Sequence, residues 1–205
     1  MQKTAFFLSL LLLFTSLSAT DWRALDTSLS LSLQGSNNYP HADYLFESVS
    51  LLTPAVEVGN AFYFRLDADT DSFQSIAITL ISTQVLTAGL KYLIGRPRPV
   101  RTYQPRMWNT RITPSFPSGH TASSAAYATL ISLQYPRYTP LMAGFALLSC
   151  YSQIYVGNHY VSDVMAGMLL GGLVGYLVNE IVAEDAWSKT TGEPGLARIR
   201  IGHVF

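Results

Sequence analysis

Five apolar stretches occupy the chain from residue 44 onward, running over about Tyr44–Gly59, Phe73–Ile94, Thr121–Tyr135, Pro140–Val156 and Asp163–Ala183. Their apolar residues come in blocks, without the strict alternation of a half-buried strand, so the spacing predicts helices. Punctuation falls between them at Pro40 and Asn60, at Gly95, Pro97 and Pro99, at Pro136 and Pro140, and at Gly157 and Asn158, where helices are expected to stop or start. The last stretch places Gly167, Gly171 and Gly175 on one face, with Gly172 beside them. Glycines at that spacing let helix backbones approach closely in lipid. These features predict an all-α bundle of about five or six helices, embedded in a membrane. The first and third stretches are short against the ~20 residues of a full span, which keeps a soluble helical core as the alternative.

Composition supports the same class. Hydrophobic residues make up 49% of the 205 and charged residues 13%, against a usual charged share of about 25%. Thirteen basic residues balance thirteen acidic ones, so net charge points to no nucleic-acid partner. Cys150 stands alone, which excludes an internal disulfide, and reads as a buried small hydrophobe. The placement of charge says more than its sum. No acidic residue lies between Asp71 and Asp163, while Lys91, Arg96, Arg98, Arg101, Arg106, Arg111 and Arg137 fall inside that interval. Cations in apolar surroundings are costly unless something anionic meets them, and a solvated basic loop is the plainer alternative.

The ends are of a different kind. Residues 1–19 carry Lys3, an apolar run from Ala5 and small residues at Ser16, Ser18 and Ala19, the pattern of a cleaved secretory leader or a short first membrane helix. Either reading puts Asp21 outside the cytoplasm. Residues 20–43 are then an extracytoplasmic segment, 44–185 the helical domain and 186–205 a tail, of which Leu196 to Phe205 alternate like a short strand. Asp67, Asp69 and Asp71 alternate as in a calcium loop but lack its glycine and glutamate, so they read as acids at the start of the next helix. His41 and His203 read as surface residues, and Tyr151, Tyr155 and Tyr160 as packing or interfacial aromatics.

Chemistry concentrates in three clusters: Lys91 through Arg98-Pro99 at a helix exit, Pro117-Ser118-Gly119-His120 at a helix start, and Ser152-Gln153 through His159 to Asp163 at the last junction. Lysine and arginine supply permanent positive charge, and the arginine fork matches two phosphate oxygens. Ser118 stands at an N-cap position and Gly119 admits close backbone approach, so free N–H groups there form an anion seat. His120 can give or take a proton near neutral pH. His159 and Asp163 are four apart; in a helix beginning by about Asn158 they share a face, and a carboxylate on one ring nitrogen leaves the other free to attack. Arg96, Arg101, Arg106 and Arg111 fit a solvated loop or lipid-headgroup contacts as well as direct phosphate binding.

In this order the clusters resemble the signature of the type 2 phosphatidic acid phosphatase superfamily, the acid phosphatase and vanadium haloperoxidase group. Lys91, Arg98, Pro99, Pro117, Ser118, Gly119, His120, Ser152, His159 and Asp163 all match, over Lys91 to Asp163. The resemblance implies that His159 attacks phosphorus to form a phosphohistidine and that Asp163 orients it. It implies that His120 protonates the leaving alkoxide and then activates water, with Lys91, Arg98, Ser118 and the Gly119 amide on the phosphate oxygens. It implies no metal and no cofactor, the cations taking that place. The expected partner is a phosphorylated lipid or small phosphate ester, at an active site on the periplasmic end of an inner-membrane bundle; a soluble periplasmic acid phosphatase is the alternative.

One position departs. The signature has arginine after Ser152, where this chain has Gln153. Glutamine can still bind phosphate through its N–H, but it carries no charge. Losing a charge-assisted hydrogen bond costs ~1.5–3 kcal/mol, on the order of a tenfold to hundredfold rate loss if felt wholly in the transition state. A weakly active or inactive phospholipid-binding protein is therefore a further alternative, unless Arg96 or Arg101 supplies the charge.

Overall fold

The computed structural model describes residues 19–67, 69–107, 111 and 114–191. All of the leader expected at 1–19 except Ala19, the last part of the tail (192–205) and His203 lie outside the described residues. Six α-helices follow one another: α1 (Ala19–Ser32), α2 (Pro40–Leu66), α3 (Thr70–Ile94), α4 (Gly119–Gln134), α5 (Thr139–Tyr155) and α6 (Val161–Thr191). A 3-10 turn, Pro136–Tyr138, joins α4 to α5. No strand occurs among the described residues, and the fold is an all-α bundle as the sequence predicts.

Three boundaries differ from expectation. The segment before residue 40 contains the helix α1, whose apolar pattern is too weak to announce it. Asn60 does not end α2, because its side chain accepts a hydrogen bond from Tyr127 Oη at 2.7 Å and so finds a partner inside the bundle. Helix α6 continues past residue 186 to Thr191. Asp69 behaves as read: its Oδ1 accepts Ser72 N at 3.0 Å and caps α3.

Helix α4 is the axis of the bundle, buried over most of its length and packed on α6, α5, α3 and α2. Its contact with α6 depends on the glycine row. A Cβ at Gly167 would meet Ser118 O at 2.7 Å, one at Gly171 would meet Ala122 O at 2.0 Å, and one at Gly175 would meet Ala126 O at 2.3 Å. Backbone therefore lies directly on backbone.

Helix α3 is largely polar inward and apolar outward. On α3 the buried face carries Ser72, Ser75, Thr79, Thr83 and Thr87, and Ser75, Thr79, Thr83 and Thr87 each donate to the carbonyl four residues earlier at 2.7–2.9 Å. Bonded in this way, the hydroxyls cost little to bury. Its outer face exposes Ile78, Ile81 and Val85, and α6 exposes Met165, Leu169, Leu173, Leu177 and Ile181 at every fourth position. Two helical segments, Thr70–Ile94 and Val161–Val182, are long and apolar enough to cross a membrane.

The long connection from α3 to α4 is pinned by acids on α2. Glu47 accepts Tyr103 Oη, Arg106 N at 2.7 Å and Met107 N at 2.5 Å, while Asp43 accepts Arg106 Nε at 2.7 Å and Tyr155 Oη at 2.8 Å. The acid-free interval between residues 71 and 163 is thus served by carboxylates from outside it.

Candidate active site

The end of α3, the start of α4 and the α5–α6 junction meet at one end of the bundle. Gly95, in the left-handed conformation at φ +63°, closes α3 and turns the chain so that Lys91 and Arg98 face the same space. Ser118 is fully buried and caps α4, its hydroxyl accepting Thr121 N at 3.5 Å. A cavity of about 280 Å³ is lined by Gln84, Lys91, Arg98, Gly119, His120 and His159. Five of the eight residues singled out in the sequence therefore line one chamber. A second chamber of about 200 Å³ shares His120 with it and adds Arg101, Asn158 and Ser50.

His159 is 2% exposed, and its Nε2 lies 3.3 Å from Arg98 Nη1. The helical pairing expected of His159 and Asp163 is corrected: α6 begins at Val161, so His159 sits in the preceding loop. The two residues still face each other, Nδ1 to Oδ2 at 3.5 Å, because Asp163 Oδ2 also accepts Tyr160 N at 3.0 Å and draws the loop around itself. Burial first, then the positive charges of Arg98 and Lys91, push the His159 imidazole down to about 4, against the Asp163 carboxylate that favours protonation. The ring is neutral at neutral pH, with a lone pair available for attack.

The cations divide into two groups. Arg96 is structural: it binds Asp163 Oδ1 at 2.7 Å, Asp26 Oδ2 at 2.6 Å and Ser162 Oγ at 2.7 Å, and lies over the Tyr160 ring. Arg106 is held by Asp43. Lys91, Arg98, Arg101 and Arg111 donate to neutral oxygens, with Asp163 acting on Lys91 and Arg98 and Glu47 on Arg101 through charge. Lys91 Nζ donates to Pro114 O at 3.2 Å and Ser115 O at 3.1 Å, Arg98 Nη1 to Asn158 O at 2.5 Å, and Arg111 Nη1 to Gly157 O at 2.8 Å. Burial, reinforced by Arg111, lowers the Arg98 guanidinium to about 10, still charged at neutral pH. Crowded cations of this kind are a seat for an anion.

Gln153, expected at the phosphate, does not line the His159 chamber. It is fully buried, its Nε2 donating to Ser50 Oγ at 2.9 Å and its Oε1 accepting Asn158 Nδ2 at 3.2 Å. Both ends of the amide are spent on holding α2 to the catalytic loop.

Sequence reasoning missed Ser115, which donates to Asp163 Oδ2, and Asp26, whose Oδ1 accepts Ser162 N at 3.0 Å from 136 positions away. It also missed Asn158 as an anchor and Gln84 as a wall of the chamber. Ser115 and Asn158 lie next to recognised clusters, and proximity was the available signal; Asp26 gave none.

Comparison with known proteins agrees with this geometry. Residues 73–187 match the model of the PAP2 superfamily. The chain is 34% identical to a lipid A 1-phosphatase of Rhizobium etli over 46% of its own length and 43% of the relative's. It is 32% identical to an undecaprenyl-diphosphatase of Sulfolobus acidocaldarius, over 53% of this chain and 56% of that one. The chain spans less than half the length of the first curated relatives it matches. In fold it resembles a transmembrane PAP2-type phosphatidylglycerolphosphate phosphatase from Bacillus subtilis, with a TM-score of 0.62 at 21% identity over 92% of this chain and 96% of the other.

Proposed function

Because the chain belongs to the PAP2 superfamily, we propose that it is a metal-independent phosphatase that hydrolyses phosphate mono- or pyrophosphate esters of a membrane lipid through a phosphohistidine. One observation carries this reading: the neutral His159 opens, beside Arg98, into a chamber that also holds His120 and Lys91.

In this mechanism Nε2 of His159 attacks phosphorus, and the bond from phosphorus to the ester oxygen breaks. His120 gives its proton to the departing alkoxide. It then takes a proton from water, whose oxygen attacks the phosphohistidine and releases inorganic phosphate with His159 restored. Lys91, Arg98 and the Gly119 amide hold the equatorial oxygens as charge develops, and Ser118 keeps that amide exposed by capping the helix. Asp163 works from behind the ring, on Nδ1.

A lipid substrate is supported by the apolar outer faces of α3 and α6, which reach the site end of the bundle, and by relatives named for lipid A and undecaprenyl diphosphate. We place the bundle in the inner membrane with the site facing the periplasm. Asp26 of α1 touches Arg96 and Ser162, so the site lies on the side where α1 begins, and the leader-like pattern before α1 assigns that side to the periplasm.

The test is phosphate release by the purified protein in detergent from lipid A, undecaprenyl diphosphate and phosphatidylglycerophosphate, beside a soluble ester. Release is expected to persist in EDTA and to vanish in His159→Ala. Turnover that survives His159→Ala, or that stops with EDTA, overturns the proposal.

A further inference from the structure

We infer that Arg101 is a phosphate-binding residue of this site, presenting a second guanidinium where the two chambers meet at His120. The inference rests on the phosphatase reading above and adds a residue to it.

Arg101 Nη2 donates to Asn158 Oδ1 at 2.6 Å, and Arg98 Nη1 donates to the backbone O of the same Asn158 at 2.5 Å. Two arginines thus converge on the residue immediately before His159. The Asn158 amide is turned by Gln153, whose Oε1 takes its Nδ2, so that Oδ1 points at Arg101. Glutamine at 153 therefore aims an asparagine, and the asparagine aims an arginine. The Arg101 stem is also confined: a Cβ on Gly157, a residue at φ +66°, would come within 3.0 Å of Arg101 Cγ. With its stem packed there and its head tied to Asn158, the guanidinium lines the chamber it shares with His120 and Ser50.

Electrostatics agree with the geometry. Burial, and the charges of Arg111 and Arg98, lower the Arg101 guanidinium to about 10, against Glu47, which lines the same chamber and favours the charged form. Even with Glu47 and Asp163 acting on them, Arg101 and Arg98 stay lowered by burial and by their cationic neighbours, so a further anion is favoured there, and a phosphoryl group carries oxygens enough for two forks. Arg98 and His159 line one chamber, Arg101 lines the other, and His120 lines both, so a phosphate held at His120 lies between the two arginines in this reading.

The experiment compares Arg101→Lys, Arg101→Gln and Arg101→Ala in the full chain, reading competitive inhibition by orthophosphate together with kcat and KM on a soluble phosphomonoester. Lysine keeps the charge; glutamine keeps a donor for Asn158 without charge. The expected result is that Lys stays within about fivefold of wild type while Gln and Ala weaken orthophosphate about tenfold to hundredfold. Orthophosphate inhibition unchanged in Arg101→Gln overturns the inference and leaves Arg101 a positioning residue for Asn158. Orthophosphate binding measured by calorimetry, with and without the Arg101 substitutions, needs no turnover. If wild type releases no phosphate at all, the phosphatase reading falls, while the titration still decides Arg101.

Discussion

Ser115 donates its hydroxyl proton to Asp163 Oδ2, the carboxylate oxygen that lies 3.5 Å from His159 Nδ1. Tyr160 N holds the same oxygen at 3.0 Å and Arg96 the other at 2.7 Å, so the carboxylate meets the histidine already restrained from three sides. In the proposed mechanism its task is to orient the ring, and it lines neither chamber. Asp163→Asn is therefore expected to lower kcat roughly 10²–10⁴-fold, with orthophosphate inhibition nearly unchanged. A matching loss of orthophosphate affinity, measured on the same variant, contradicts this division of roles.

Arg96 joins α1 to α6 by bridging Asp26 and the fully buried Asp163. Removing one partner of a buried pair leaves the other charge uncompensated. Arg96→Ala is expected to destabilise the bundle by on the order of 3 kcal/mol, seen as a lower Tm in detergent. Arg96→Lys recovers little, because one ammonium cannot reproduce a fork that spans Asp26, Ser162 and Asp163.

Reading from residues to fold succeeded where a helix announces itself by its own composition. The blocks that became α3, α5 and α6 were legible, as was Ser118 as a cap, because each depends on neighbours in sequence. The three clusters were legible for the same reason. What escaped is the layer behind them: Asp26, Ser115 and Asn158 act across 136, 48 and 57 positions respectively, through contacts that only packing creates. Gln153 shows the limit most clearly. Its residue type permits a phosphate contact, and only the packing of α2 against α5 reveals that Ser50 and Asn158 occupy both ends of it.

The glycine row on α6 gives a paired test. Gly171→Ala places a methyl 2.0 Å from Ala122 O, and neither helix backbone can give way cheaply. A loss of about 3 kcal/mol or more is expected, at the upper end for overpacking. At Gly172 the nearest contact is Thr129 Oγ1 at 3.8 Å, so Gly172→Ala fits and gains helix propensity. Thermal melts of the two variants side by side should move in opposite directions.

Gln153→Arg restores the residue of the family signature at a place that lines neither chamber. The new guanidinium enters a fully buried position, takes the space of the bond to Asn158, and repels Arg101 and Arg98. Turnover is expected to fall by about tenfold or more, through the misplacement of Asn158 and His159. A rise in turnover shows instead that position 153 reaches the phosphate and that the charge there is limiting.

The acid limit of the reaction follows from His159. Its ordinary value is 6.5, and burial, with Arg98 and Lys91, brings it to about 4 in the folded protein. Only the neutral ring of His159 attacks and only protonated His120 can donate, and burial with Arg98 and Lys91 holds His120 below the ordinary histidine value as well. So kcat/KM should be bell-shaped, with an acid limb near 4 from His159 and an alkaline limb below 6.5 from His120. The sign for stability runs the same way. Between about 6.5 and 4 the unfolded chain binds a proton that the folded chain refuses. The contribution of His159 is therefore complete above 6.5 and is lost progressively as pH falls toward 4, with no further change below that. His159→Ala removes this titration, so its Tm should decline less steeply than wild type across that window. Removing charge at Arg98, as in Arg98→Gln, relieves one of the forces that depress His159, and the acid limb of residual activity should move upward. An acid limb that stays near 6.5 in the wild-type protein shows that the ring facing phosphorus is solvated and that its burial beside Arg98 does not govern the chemistry.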